Sequence, residues 1–236
     1  VPPIEAHADL GVTNGLVGRL STGQMAAIEA ESTNALESFG LDTPRLTVTV
    51  GLGSSAATLL IGDATPAGTV YARDTARNLV FTVSESLLTE LEQGVDEYRR
   101  KNLFAFRPFN ATALEIDRDD ERWKFEKVEA TADDEAERWR RTVPNDGDVE
   151  PSAMDDLLAK LSNLRAESFV ASRDGTGLDA PAWTILVTFD GDGAQERVVV
   201  GRVDDEVFAV NGDEPGAARL NTRAWDDALE ALDALE

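Results

Sequence analysis

Phe39-Gly40-Leu41-Asp42-Thr43-Pro44 leads, one residue later, into Leu46-Thr47-Val48-Thr49-Val50. Thr176-Gly177-Leu178-Asp179-Ala180-Pro181 leads in the same way into Trp183-Thr184-Ile185-Leu186-Val187. Gly40 and Gly177 are 137 residues apart. Ile61-Gly62-Asp63 answers Val200-Gly201-Arg202 at an offset of 139, and Val70-Tyr71-Ala72 answers Val207-Phe208-Ala209 back at 137. Upstream, Leu16-Val17-Gly18-Arg19-Leu20-Ser21 answers Leu157-Leu158-Ala159-Lys160-Leu161-Ser162 at 141. The drift and its return fall in expected turns, where insertions cost little. Such self-similarity points to an internal repeat.

Each matched segment has a physical reading. Leu157, Leu158, Leu161 and Leu164 fall on one face of a helix, and Pro151 suits its first turn. Leu16, Val17 and Leu20 give the same face earlier, with Gly23 where Leu164 would stand, so that helix is the weaker one. Gly-Leu-Asp-x-Pro ends each helix-to-strand connection: glycine permits positive φ, and proline fixes the chain before the strand. Four short strands follow, about 45–51, 57–61, 69–73 and 78–83, then 182–189, 195–200, 206–210 and 217–220. Their spacing predicts an antiparallel meander. Ser84 and Asn221 cap a closing helix in each copy. Leu87, Leu88, Leu91 and Val95 form the buried stripe of the first, and Trp225, Leu229 and Leu232 that of the second.

Between the copies, Ala113–Ile116, Trp123–Val128 and Arg138–Val143 read as three further strands, with an acidic loop or helical turn from Thr131 to Glu137. They lead into the Leu157 helix and so belong to the second copy. The expected class is α+β: two tandem copies of a helix, a four-stranded antiparallel meander and a helix, with three extra strands before the second copy. The boundaries are 1–106 for the first repeat and 107–236 for the second. Val1-Pro2 corresponds to Val143-Pro144, so the first copy is read as truncated. Its missing strands, and a membrane helix before them, are expected upstream of Val1, which leaves an exposed edge or a thinner sheet. Tyr71 and Phe208 are expected in equivalent buried positions.

Composition removes several functions. No apolar run approaches the roughly 18 residues of a helical span. The absence of cysteine excludes disulfides and thiolate chemistry, and a single histidine excludes any site needing two imidazoles in one chain. Forty-five acids against 22 bases give a net charge of −23, which repels nucleic acid and anionic membrane surfaces. Lys101, Lys124, Lys127 and Lys160 are the only lysines. An acid-rich, lysine-poor surface suits a salty environment, but a genome that favours arginine codons and a merely soluble surface explain it better. Self-repulsion predicts that the thermal midpoint rises between dilute buffer and molar sodium chloride. A flat or falling trend would mean that the acids are balanced locally.

The order of these elements resembles the bacterial domain of unknown function 4340 family. The resemblance is carried by the leucine helix, Gly-Leu-Asp-x-Pro, the following Ile-Gly or Val-Gly strand, Tyr98-Arg99-Arg100-Lys101-Asn102-Leu103-Phe104, and the Trp139-to-Pro144 strand. It covers about Asp9 to Leu235. It implies an extracytoplasmic envelope protein anchored by an N-terminal membrane helix and often encoded beside gliding-type ABC transporters. It implies no known reaction and no active-site residues. The implied anchor is expected upstream of Val1, and the acidic stretch from Glu126 to Arg138 departs from the family pattern.

The chemistry-bearing residues are sparse. His7 beside Asp9 is the one possible general base, but no oriented partner is in view, and a polar lead-in to the first helix is the better explanation. Asp190-Gly191-Asp192-Gly193 and Asn145-Asp146-Gly147-Asp148 resemble fragments of calcium loops, but lack the ligand count and the closing glutamate. Gly51-Leu52-Gly53-Ser54-Ser55 lacks the Walker lysine and reads as a hairpin turn. There is no Gly-x-Ser-x-Gly elbow. Trp123, Trp139, Trp183 and Trp225 read as core. Tyr98, Arg99, Arg100 and Lys101 form a compact basic cluster that could dock an acidic partner or complement a helix C-terminus. No cofactor or metal is expected. The leading reading is a non-enzymatic envelope binding or scaffold module, accessory to an ABC-type transporter complex and binding a protein partner there. The alternative is a carboxylate-based enzyme or ligand-binding domain acting on an extracytoplasmic glycan or small molecule. A cleft holding two close acids favours the alternative, and an apolar patch with an Arg or Tyr rim favours the first.

Overall fold

The computed structural model describes residues 4–32, 34–52, 54–128, 137–191 and 193–235. The chain forms two compact units: Asp9–Tyr98, and Arg99 onward together with the leading segment that ends at Ala8. Helices and antiparallel sheets are segregated in each, so the class is α+β.

The N-terminal unit begins with α1 (Leu10–Thr22), whose first turn is capped by the Asp9 carboxylate accepting from the Gly11 and Val12 amides at 2.9 and 3.1 Å. Its sheet comprises β1 (Ala27–Ala30), β2 (Leu46–Leu52), β3 (Ser55–Ala64), β4 (Thr69–Asp74) and β5 (Val80–Ser84), in the order β1-β5-β4-β3-β2. Ser84 caps the short closing helix α2 (Glu85–Leu91). Ile61, Val70, Ala72, Phe81 and Val83 alternate inward from the strands and meet Leu88 of α2 in a small core. No residue of α1 is buried.

The C-terminal unit contains β6 (Ala111–Arg118), β7 (Glu121–Val128), β8 (Arg138–Val143), β9 (Gly147–Asp148) and α3 (Pro151–Ser162). These are followed by β10 (Ala166–Val170), β11 (Trp183–Phe189), β12 (Ala194–Val203), β13 (Glu206–Asn211), β14 (Ala217–Leu220) and α4 (Thr222–Asp233). Its nine strands run β10-β14-β13-β12-β11-β6-β7-β8-β9. Leu157, Leu158 and Leu161 of α3 and Trp225 and Leu232 of α4 lie in the same core as Leu114, Ile116, Trp123, Phe125 and Trp139 of β6–β8. Trp183 meets Trp225 edge to face at 5.2 Å. Strand β13 buries both faces: Val207 and Ala209 join this core, while Phe208 and Val210 join Leu178 and Ala217 in a second cluster.

The Gly-Leu-Asp segments have a structural task. Gly40 and Gly177 adopt positive φ of 64° and 74°. Each turn then lies against the backbone of a strand at a second glycine. A Cβ on Gly62 would strike the Phe39 carbonyl, and one on Gly201 would strike the Thr176 carbonyl and come within 2.6 Å of the Gly177 carbonyl carbon. Only glycine allows two backbones to pass this closely.

Several expectations need correction. Strands β1 and β10 extend each four-stranded meander at its last strand, with Ala27 opposite Thr82 and Ala166 opposite Leu220. Four strands, not three, precede α3, because Gly147–Asp148 adds a short fourth. Helix α2 stops at Leu91, so Val95 lies beyond it in a separate turn and is 48% exposed. Gly94 interrupts the helical stripe that the spacing suggested. Leu164 is buried as expected, but just past the end of α3. Tyr71 is half-buried against Phe39, whereas Phe208 is buried. Most of the Thr131-to-Glu137 loop lies outside the described residues.

Candidate functional site

The basic cluster resolves into two pieces. In the N-terminal unit the Tyr98 hydroxyl donates to the Glu90 carbonyl at 2.5 Å. Burial, then the Glu90 charge, raises its pKa above the ordinary phenol value. From Arg99 the chain runs extended as a strap through the C-terminal unit. Arg99 bridges Ala8, the Arg100 amide donates to the His7 carbonyl, and Asn102 bridges Arg165. The Ala166 amide donates to the Lys101 carbonyl, and the Leu103 amide to that of Leu164.

The side chains of the strap are held by acids from distant strands. The Arg99 guanidinium lies 3.7 Å from the ring centroid of Phe169 and 3.9 Å from the Glu214 carboxylate, and is buried. Arg100 stands 3.5 Å from Glu196 and 3.8 Å from Glu214. Glu196 also accepts from the Ala105 amide at 2.6 Å and from Asn211 at 3.2 Å, and Asn211 donates to the Leu103 carbonyl. This is a charge-assisted lock that fixes residues 99–105 onto β10, β12 and β13. Arg99→Met is expected to cost the C-terminal unit about 1–3 kcal/mol, since it removes a stacked, hydrogen-bonding cation. Lysine should not rescue it, because it lacks the planar face. Urea unfolding checks this; an unchanged midpoint would mean that the strap docks without the guanidinium.

A different kind of surface lies in the N-terminal unit. A groove runs between the end of α1 and the sheet, lined by Leu20, Met25, Val48, Val50, Leu59 and Phe81. Arg19, paired with Glu90 at 3.2 Å, and Arg77, paired with Asp74 at 3.3 Å, also line it. Val17, Met25 and Val50 are 41–49% exposed. Among the described residues, strand β2, which supplies Val48 and Val50, pairs with β3 and forms the edge of its sheet. An uncovered apolar groove beside an open strand edge is a surface suited to another stretch of polypeptide.

The family profile described as a domain of unknown function, DUF4340, matches residues 1–181. The chain belongs to the DUF4340 family. No curated protein and no solved structure matches it.

The other candidate residues of this DUF4340 chain take structural positions. His7 is exposed and engaged through its backbone, while Asp9, its supposed partner, caps α1. Asp190 adopts positive φ in the β11–β12 turn and accepts from Asn110. Asp146 binds Arg140 through both carboxylate oxygens. That hydrogen bonding holds the Asp146 carboxyl below the usual range, and the Ser152 hydroxyl and Ala153 amide do the same for Glu150 at the start of α3. Among the described residues, no group of three His, Asp or Glu side chains is placed to hold a metal ion. Both depressed carboxyls favour the folded state above the ordinary carboxylate pKa. That contribution disappears as pH falls through their lowered folded values. The C-terminal unit of the DUF4340 chain should therefore lose stability on acidification below about pH 4. Asp146→Asn should blunt that slope, as read by midpoints against pH.

Proposed function

We propose that this DUF4340 chain is a non-enzymatic scaffold of the cell envelope, accessory to an ABC-type transporter complex, and that it contains two copies of one structural unit. The observation that carries this reading is the recurrence of one frame: helix, edge strand, four-stranded meander and closing helix. The first three strands of the meander lie in the same order, with the last strand joined to the edge strand, in both sheets. The equivalent glycine crossings at Gly62 and Gly201 support it, as do equivalent pairings such as Leu46 opposite Ile61 and Trp183 opposite Val200. Repetition of a frame builds extended surface rather than one convergent pocket. The deepest charges of the strap, Arg99 and Arg100, face Glu196 and Glu214 from distant segments, which leaves them to hold structure.

The envelope setting rests on the family resemblance. Among the described residues no helix is long and apolar enough to cross a membrane. The test is purification of the tagged native protein from its own membranes, with transporter subunits identified by mass spectrometry. Enrichment of an ATPase and its membrane partner is expected. Recovery of the protein alone, from the cytoplasmic fraction, would overturn the reading.

A further inference from the structure

We propose that β2 is a self-association edge: two molecules of this chain pair β2 against β2, antiparallel about a twofold axis at Thr49, and bring their α1 grooves to one side of a shared sheet. The inference goes beyond the envelope reading and does not rest on it. The first observation is where the acids are not. Asp and Glu supply 45 of 236 residues, yet the two longest stretches without either are residues 10–28 and 43–62. The first holds α1 and the segment beyond it, and the second holds β2 and most of β3. Leu20 and Met25 from one stretch line the same groove as Val48, Val50 and Leu59 from the other. The fold thus gathers two acid-free runs onto one surface of the N-terminal unit. The charges beside that surface are already engaged: Arg19 by Glu90, Asp74 by Arg77, and Arg45, just before β2, by Glu92 through two N–H groups.

That distribution selects the occupant. A basic partner is met by acids kept at the contact, and an anionic one such as nucleic acid by clustered bases. A face cleared of acids suits a partner as acidic as the chain itself, and a second molecule, also at −23, is that partner. The edge is self-complementary as well. Val48-Thr49-Val50 reads the same in both directions, so an axis at Thr49 sets Val48 opposite Val50 of the second molecule and Thr49 opposite its own counterpart. Pairs of β-branched side chains favour such a ladder, and opposed residues point to the same face of the sheet. Among the described residues β2 ends its sheet, and Leu46–Leu52 contains no lysine, proline or acid of the kind that blunts an edge.

The test is sedimentation equilibrium of the 236-residue chain in dilute buffer and in molar sodium chloride. At about 100 μM a contact of micromolar affinity is nearly saturated, so the mass of two chains is expected. Acids outside the contact repel, so salt should tighten the dimer by at least about tenfold. Thr49 is exposed, and its replacement by Glu or by Lys should leave the circular dichroism unchanged. Each of Thr49→Glu and Thr49→Lys sets like charges within about 5.5 Å across the axis and should abolish the dimer. Mixed in equal amounts, the two variants should restore it, because the facing charges then attract. A chain that stays monomeric in both salts would overturn the proposal and leave the face to a different protein. A dimer that survives both substitutions would also overturn it, by placing the contact elsewhere. So would a mixture no more associated than either variant alone.

Discussion

Trp225→Ala is expected to cost the C-terminal unit about 3–5 kcal/mol, the largest effect of any single truncation proposed here. Trp225 is 1% exposed on α4 and stands edge to face on Trp183 at 5.2 Å. Its ring fills the layer between α3, α4 and the central strands, alongside Leu157, Ile185 and Leu232. Alanine forfeits the transfer energy of the ring and leaves a cavity in a close-packed interior. Neither indole nitrogen, of Trp183 or of Trp225, has a hydrogen-bond partner. Packing therefore carries the position, and Trp225→Phe, which keeps an aromatic contact and deletes a buried donor, should cost under about 1.5 kcal/mol. Scanning calorimetry separates the outcomes. A small loss for Trp225→Ala would show that the layer collapses onto the gap.

Gly201→Ala and Gly62→Ala should each cost about 2–3 kcal/mol or more. The atoms that a new methyl group would meet are backbone atoms of the crossing turn: the Thr176 carbonyl and Gly177 at one site, the Phe39 carbonyl and Gly40 at the other. Backbone cannot rotate aside as a side chain can, so the turn must lift, taking with it Leu178 or Leu41, both buried. Gly18→Ala is the control. It sits within α1 with no neighbour in reach of a Cβ, and should stabilise by about 0.5–1 kcal/mol through helix propensity alone. Equal effects at all three glycines would remove the close-crossing account.

The meanders were legible because short apolar alternation and turn residues are local signals: all eight of their strands fall where the spacing placed them, with ends that differ by a few residues. Strands β1 and β10 were not. Ala27–Ala30 has no alternation and faces solvent almost throughout, and its existence depends on Thr82, more than fifty residues on. The strap was misplaced for a related reason. Tyr98 to Lys101 looks like the end of a helix, but what fixes Arg99 and Arg100 is Phe169, Glu196 and Glu214, none of them near in sequence. The groove left no local signal either. The stripe of Leu16, Val17 and Leu20 announces a face to be buried, but only the sheet order reveals that β2 is the last strand of its sheet among the described residues.

The placement of the aromatic residues divides the chain optically. All four tryptophans, Trp123, Trp139, Trp183 and Trp225, lie in the C-terminal unit, and both tyrosines, Tyr71 and Tyr98, lie in the N-terminal one. Indole emission excited at its red edge therefore reports on one half of the protein only, and phenol absorbance chiefly on the other. Without any label, the melting of each unit can be followed in a single cuvette.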